Sequence, residues 1–316
     1  MSSKKNKNDH NDVIKFDIVK NRRKFFALSG AILVLGFLSM LIFGFNLGVD
    51  FKSGTRLDVF IGKEFNTADV DAIIKQQIPE VVFKPVAKMG NNNDQGTTTF
   101  DQPIEATKLE AVEKALKAKY GDQVSKQEST VSPIIAQELV QKAMVAILLA
   151  SVGIVIYIAI RFQFLFGIAC VIALLHDVFI PIALFSIIEI EIDLTFIAAI
   201  LTIVGYSIND TIVIFDRIRE NLRLMKVRTV EELEHMVNVS LWQTMRRSFY
   251  TVATVFFTAL AIAVLGGEGI RNFSICLIFG LLSGTYSSIF IAAQVWVSLK
   301  KREMAKKRLA PTPNEA

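Results

Sequence analysis

Cysteine and histidine are scarce, with two cysteines and three histidines in 316 residues. Both cysteines, Cys170 and Cys276, fall inside long apolar runs, so they read as packing thiols and supply no disulfide framework. Residues 46–137 contain neither residue type and no nucleophile-plus-base spacing, which argues against metal or nucleophilic catalysis there. Gly-x-Gly-Asp and His-Glu-x-x-His are both missing, which removes the main signatures of an intramembrane aspartyl protease on Asp177 and Asp210 or of a zinc protease. No enzymatic activity, bound metal or cofactor is expected. The short link at 189–193 has no basic residue and carries Glu189, Glu191 and Asp193 instead.

What the chain has is apolar length. Hydrophobic residues make up 52% and charged ones 21%, a mixture that suggests membrane spans joined by polar segments. About 20 consecutive apolar residues cross a bilayer. Runs of that order occupy 25–45, 139–160, 164–188, 194–215, 249–265 and 273–297. The first follows a basic arm, but it exceeds a signal-peptide core and no small-x-small cleavage site follows it, so it reads as a retained anchor. Lysines and arginines crowd the N-terminal arm from Lys4 to Lys24, the fourth-to-fifth connection from Arg217 to Arg247, and the tail from Lys300 to Arg308. With the acidic 189–193 link on the other side, the positive-inside rule puts both termini in the cytosol. Membrane orientation and anionic lipid account for these basic clusters, so no nucleic-acid partner is expected.

The layout is a basic cytosolic arm (1–24), a first transmembrane helix (25–45) and an exported domain (46–137). Transmembrane helices two to six follow (138–298), with a cytosolic amphipathic loop near 217–247 and a basic tail (299–316). Within the exported domain, 56–61 reads as a strand. Thr67 caps a helix that turns Val70, Ile73, Ile74 and Ile78 to one face. Residues 81–88 read as a strand, 90–96 as a turn and 97–100 as a strand. Thr107 with Glu110 fits a capping box for a helix burying Leu109, Val112 and Leu116, stopped by Gly121, before a last extended stretch at 123–131. Strand, helix, strand, strand, helix, strand is the ferredoxin-like split βαβ order.

Carboxylates inside spans cost about 2.5–3.5 kcal/mol on insertion scales, so each requires a reason. His176 and Asp177 sit mid-depth in the third span with Pro181 one turn later, and Asn209 and Asp210 lie in the fourth. Arg247, Thr251, Thr254 and Thr258 fall on one face of the fifth. A carboxyl balanced between apolar surroundings and a guanidinium can load and release a proton. Plainer readings stand beside this one: Arg247 as a snorkelling anchor, the threonines bonding back to their own helix, and His176 with Asp177 bracing the packing. Gly280, Gly284 and Ser288 form a small-xxx-small stripe for close helix approach. Thr229 with Glu232 opens a segment expected to lie along the membrane with Trp242 at the interface.

Four segments together resemble the SecD/SecF family of the bacterial Sec protein translocase, within the RND superfamily. They are Asp50-Phe51-Lys52-Ser53-Gly54-Thr55, His176-Asp177-Val178, the run from Gly205-Tyr206-Ser207-Ile208-Asn209-Asp210-Thr211 to Asn221, and Gly280 to Ser288. Ser53 stands where the family usually has the first of two glycines. The resemblance covers nearly the whole chain beyond the arm. It implies an α-helical polytopic protein of the bacterial inner membrane: a six-helix RND-type bundle with one exported α+β domain. It also implies pairing with a separate SecD chain and association with the SecYEG channel. The expected function is use of the proton motive force to complete export of unfolded polypeptide after SecA has acted. The family's proton pathway maps onto Asp210, Arg247 and Thr251, with a further aspartate from SecD; His176, Asp177, Asn209 and Thr254 would support it. Competing readings are half of an RND-type small-molecule exporter and a passive membrane scaffold. The coupling ion, proton or sodium, is left open.

Overall fold

The computed structural model describes residues 16–89, 93–225 and 227–309. The lysines of the arm up to Lys15, the start of the 90–96 turn, Lys226 and residues 310–316 lie outside the described residues.

Among the described residues, six helices are long and apolar enough to cross a membrane. They are α1 (Arg22–Phe43), α5 (Pro133–Arg161), α6 (Phe164–Ile188), α7 (Leu194–Met225), α8 (Val230–Leu265) and a last rod. That rod joins α9 (Glu268–Ser287), a π turn (Ser288–Ala292) and α10 (Ala293–Leu309). The most apolar windows of α6 and the last rod are 56% and 61% buried, against 11% for α5 and α8, so α6 and the rod form the centre of the bundle. Phe166 stacks on Trp296 with ring centroids 4.6 Å apart, one aromatic lock of that centre.

The fifth span departs from expectation. Residues 230–247 form no separate helix along the membrane; they run without a break into the span as α8. The reason is local, since neither glycine nor proline occurs between Val230 and Leu265 to interrupt the hydrogen-bond ladder. The Thr229–Glu232 capping box forms as expected. The apolar stripe Leu233, Met236, Val237 and Leu241 is fully buried against protein. Asn221 on α7 reaches Ser240 at 2.7 Å and Gln243 at 3.0 Å, joining the two helices beyond the apolar region. Trp242 donates its indole N–H to the Phe16 carbonyl at 2.9 Å.

Between α1 and α5 lie α2 (Val49–Lys52) and an α+β domain: β1 (Gly54–Phe60), α3 (Thr67–Gln77), β2 (Ala87–Met89), β3 (Gln95–Phe100), α4 (Ala106–Tyr120) and β4 (Ser125–Val131). The strands pair antiparallel in the order β2-β3-β1-β4, as the split βαβ arrangement requires. Leu57, Val59 and Phe100 from the sheet pack with Val70, Ile74, Leu109, Val112 and Leu116 from α3 and α4.

Three local expectations are corrected. The cap of α3 is Asn66, whose side chain accepts from the Ala68 amide at 3.0 Å, and Thr67 is the first helical residue. No capping box forms at Thr107, because α4 begins at Ala106 with Glu105 at the cap. The 81–88 strand shrinks to Ala87–Met89, preceded by one bridge between Phe83 and Phe100. Pro85 has no amide to donate, and it interrupts the ladder between those two points. Gly121 does end α4, at φ 109° with its amide on the Lys117 carbonyl.

Candidate functional site

The site is built where α6, α7 and α9 meet. Ile203, Ser207 and Thr211 recur every four residues on α7 and face the matching stripe Gly280, Gly284 and Ser288. A Cβ on Gly280 would overlap Ile203, and one on Gly284 would stand 3.2 Å from the Ser207 Cβ. Thr211 and Ser288 share a hydrogen bond at 2.8 Å, at the start of the π turn. The glycines are therefore what lets two polar helix faces touch.

That contact holds two carboxylates in different surroundings. Asp177 on α6 is fully buried, and all its oxygens are occupied. Oδ1 accepts from Ser283 at 3.0 Å and pairs with His176 Nδ1 at 3.1 Å; Oδ2 accepts from Ser207 at 2.5 Å and Ser287 at 2.6 Å. His176 stacks on Tyr286, whose hydroxyl donates to the Phe25 carbonyl at 3.0 Å. Pro181 withholds the amide that would have bonded the Asp177 carbonyl, which loosens α6 at this level.

Asp210 on α7 is 9% exposed. Its Oδ1 accepts one hydrogen bond, from the Ser248 hydroxyl on α8, and its buried Oδ2 has no partner among the described residues. Beside it is a cavity of about 20 Å³ lined by Tyr206, Ser207, Asn209, Thr251, Gly280 and Gly284 among others. A cavity of at least about 10–15 Å³ holds one water, so one proton-carrying molecule fits next to the unpaired oxygen.

The other candidates separate. Arg247 is exposed and makes no hydrogen bond or ion pair to Asp210 among the described residues. Thr251 borders the cavity while its hydroxyl bonds back to the Arg247 carbonyl at 2.9 Å. Thr254 and Thr258 also bond back to their own helix. The stripe lies on the open side of α8, with Thr251 at the edge of the cavity beside Asp210 and Asn209 also exposed. Three serines were not singled out from sequence: Ser248, Ser283 and Ser287. The available signals were the four-residue spacing of Ser283 and Ser287 beside the glycine stripe, and of Ser248 after Thr244.

The segment after α1 forms a joint. Asp50 Oδ2 accepts from the Leu194 amide at 2.9 Å, capping the start of the helix that carries Asp210. Asn46 and Gly48 bond to the 189–193 link, through Ile192 N to Asn46 O at 2.8 Å and Gly48 N to Ile192 O at 2.9 Å. Phe51 packs into the cluster around Phe185 and Phe196. Ser53 has φ 69° and ψ 166°, and Gly54 has φ 128° with the Phe100 carbonyl where a Cβ would stand. Thr55 is fully buried and accepts from the Ile104 amide at 2.8 Å. Glu191 lies in this joint, where burial pushes its carboxyl above the usual range while Arg56 and Lys84 pull it back.

Residues 111–302 match the family described as protein export membrane protein SecD/SecF, C-terminal, and residues 38–59 match the SecD/SecF GG motif. The chain is 44% identical to the protein translocase subunit SecF of Alicyclobacillus acidocaldarius, over 95% of this chain and 99% of that one. It is 41% identical to the protein translocase subunit SecDF of Bacillus subtilis, over 95% of this chain and 40% of the longer relative. The crystal structure of SecDF from Thermus thermophilus, described as a translocon-associated membrane protein, superposes with TM-score 0.79 at 30% identity. That match covers 91% of this chain and 39% of the other.

Proposed function

Because the chain belongs to the SecD/SecF family of protein export membrane proteins, we propose that it is an ion-loading half of an export-assisting complex, with Asp210 as the group that takes up and releases the ion. The observation that carries this reading is the buried, unpaired Oδ2 of Asp210 beside a one-water cavity. Asp177 is a poorer candidate, since both of its oxygens already have partners and no cavity with an unpaired oxygen lies beside it. Asp210 has one hydroxyl partner, and a hydroxyl rotates to donate to a carboxylate or to accept from a carboxylic acid. Both charge states are then hydrogen-bonded without a heavy atom moving.

Coupling follows from where α7 begins. Asp210 lies 16 residues, about 24 Å, along the helix from Leu194, whose amide is held by Asp50 at the root of the α+β domain. A shift of α7 on loading is carried to that root. One charge moved through 100 mV supplies about 2.3 kcal/mol, enough to bias the domain between two poses. In this reading both termini are cytosolic, the domain projects outside the bacterial inner membrane, and the chain catalyses no chemistry of its own. The open face of α8, with Arg247, Thr251 and Thr254, receives the six-helix half of SecD and its aspartate. The complex works with SecYEG on unfolded polypeptide after SecA, drawing on the proton motive force.

The test is translocation into inverted membrane vesicles under an imposed proton or sodium gradient. Asp210→Asn abolishes the gradient-stimulated part of export while the protein inserts and keeps its thermal stability. Undiminished stimulation in that variant rejects the ion-loading role.

A further inference from the structure

The end of the bundle where α1, α8 and α10 meet is rich in cations, and three of them are engaged. Arg22 reaches Glu234 at 2.7 Å, Lys301 pairs with the same carboxylate, and Lys300 holds Glu303 at 2.8 Å. Lys20, Arg23, Lys24, Arg302 and Lys306 are exposed and have no side-chain hydrogen bond or ion pair among the described residues; of these, the two arginines are set apart by the helix faces they occupy. Both point along one feature. On α1, Arg23 shares a face with Phe26, Gly30, Val34 and Phe37; on the last rod, Arg302 follows Val295 by seven residues. Those residues line a cavity of about 640 Å³ between α1, α6 and the last rod, with Leu175 and Phe179 on its α6 wall. Its lining is apolar apart from Ser29 and His176, and His176 is already bonded to Asp177. Nothing lies within 4 Å of where a Gly30 Cβ would stand, so the slot is open at its middle.

From Phe26 to Leu38 the slot runs 12 residues along α1, about 18 Å, close to the half-thickness of a bilayer's ~30 Å hydrocarbon core. An apolar slot one leaflet deep, with unpaired arginines on the same helix faces beyond its end, Arg23 three residues before Phe26 and Arg302 seven after Val295, matches one occupant in shape and charge. We infer that it is a binding site for an anionic phospholipid, one acyl chain lying in the slot and the phosphate held by Arg23 and Arg302. Arginine suits this task because its planar donors grip phosphate oxygens in pairs. A zwitterionic lipid fills the slot equally well but gains less at the mouth, so selectivity resides in the headgroup. The occupied slot completes the packing of α1 on α6 beside His176.

The full chain is reconstituted in vesicles with an excess of phosphatidylcholine over phosphatidylglycerol, and the lipids retained after gentle detergent extraction are weighed by native mass spectrometry. The expected result is phosphatidylglycerol enriched on the protein over its bulk share. Removing one arginine–phosphate contact lowers that enrichment roughly fivefold, so Arg23→Gln with Arg302→Gln brings it to the bulk ratio. Gly30→Leu places a branched side chain in the slot, starting where a Cβ meets nothing within 4 Å, and removes retained lipid of both kinds. Bulk composition on the native protein, full enrichment in the double arginine variant, or unchanged retention in Gly30→Leu each overturns the assignment. So does a photo-crosslinker at Leu33 that captures polypeptide instead of lipid in native membranes. Both variants alter groups outside the buried networks, and unchanged elution and melting confirm that they fold.

Discussion

Replacing Gly280 by alanine tests whether α7 and α9 are in contact where the two carboxylates sit. The new methyl would overlap the γ1, γ2 and δ1 carbons of Ile203. Two of these lie at the branch point of the side chain, and Ile203 is β-branched, fully buried and restricted at χ1, so it has no rotamer to retreat into. Forcing an extra carbon into such packing costs about 1–3 kcal/mol. Alanine also favours the helix over glycine by about 0.8–1.0 kcal/mol, which masks part of that cost. Gly153→Ala on α5 separates the two effects, because nothing lies within 4 Å of that position and only the propensity gain applies. The difference in melting temperature between the variants in detergent isolates the packing cost, with Gly280→Ala the lower by several degrees. Ile203→Ala in the same chain makes room and recovers part of the loss, as a double-mutant cycle detects. Equal shifts for Gly153→Ala and Gly280→Ala would show that the two helices do not meet there.

Ser53→Gly raises the melting temperature, since φ 69° with ψ 166° is a region open almost only to glycine and costs other residues about 1–3 kcal/mol; a decrease refutes strain at this turn. Asp177→Ala removes the carboxylate that Ser207, Ser283, Ser287 and His176 share, at about 1.5–3 kcal/mol for a hydrogen bond to a charged group, less where a serine turns back to its own helix as Ser287 does to Gly284. That variant loses thermal stability, unlike Asp210→Asn, and the ranking is read directly from melting curves. Glu191→Gln stabilises the chain at neutral pH. The folded carboxyl is raised above its unfolded value, so its contribution is fully present below the ordinary glutamate range and fades as pH climbs through the folded value. Glutamine mimics the protonated form, and the matching fall in stability with rising pH should disappear; an unaltered pH profile counts against desolvation of the half-buried Glu191.

Several elements could be read without coordinates because their signals are local. The third span is Phe164–Ile188 both as an apolar run and as a helix, since apolar length alone decides what crosses lipid. The strand and helix order of the small domain followed from period and turn chemistry, and its sheet has the pairing that order implies. Local reading failed where a neighbour mattered. Thr107 has the spacing of a capping box, yet the helix starts one residue earlier. The polar stretch before the fifth span carries charges that suggest an interface helix, but its apolar stripe is buried on protein and the helix continues.

The sequence by itself determined that the chain is a six-span protein with a split βαβ insertion and two intramembrane carboxylates, because hydrophobic run length, residue period and family motifs are properties of consecutive residues. Only the tertiary structure distinguished the two acids, giving Asp177 four hydrogen-bond partners and leaving one oxygen of Asp210 unpaired, and only it turned the Arg247 stripe to the open side of α8. The physical reason is that a serine or threonine in a helix can always bond back to its own carbonyls. Which hydroxyls instead reach across to a carboxylate depends on how helices distant in the chain are rotated against one another, and that rotation is set by contacts such as Gly280 against Ile203.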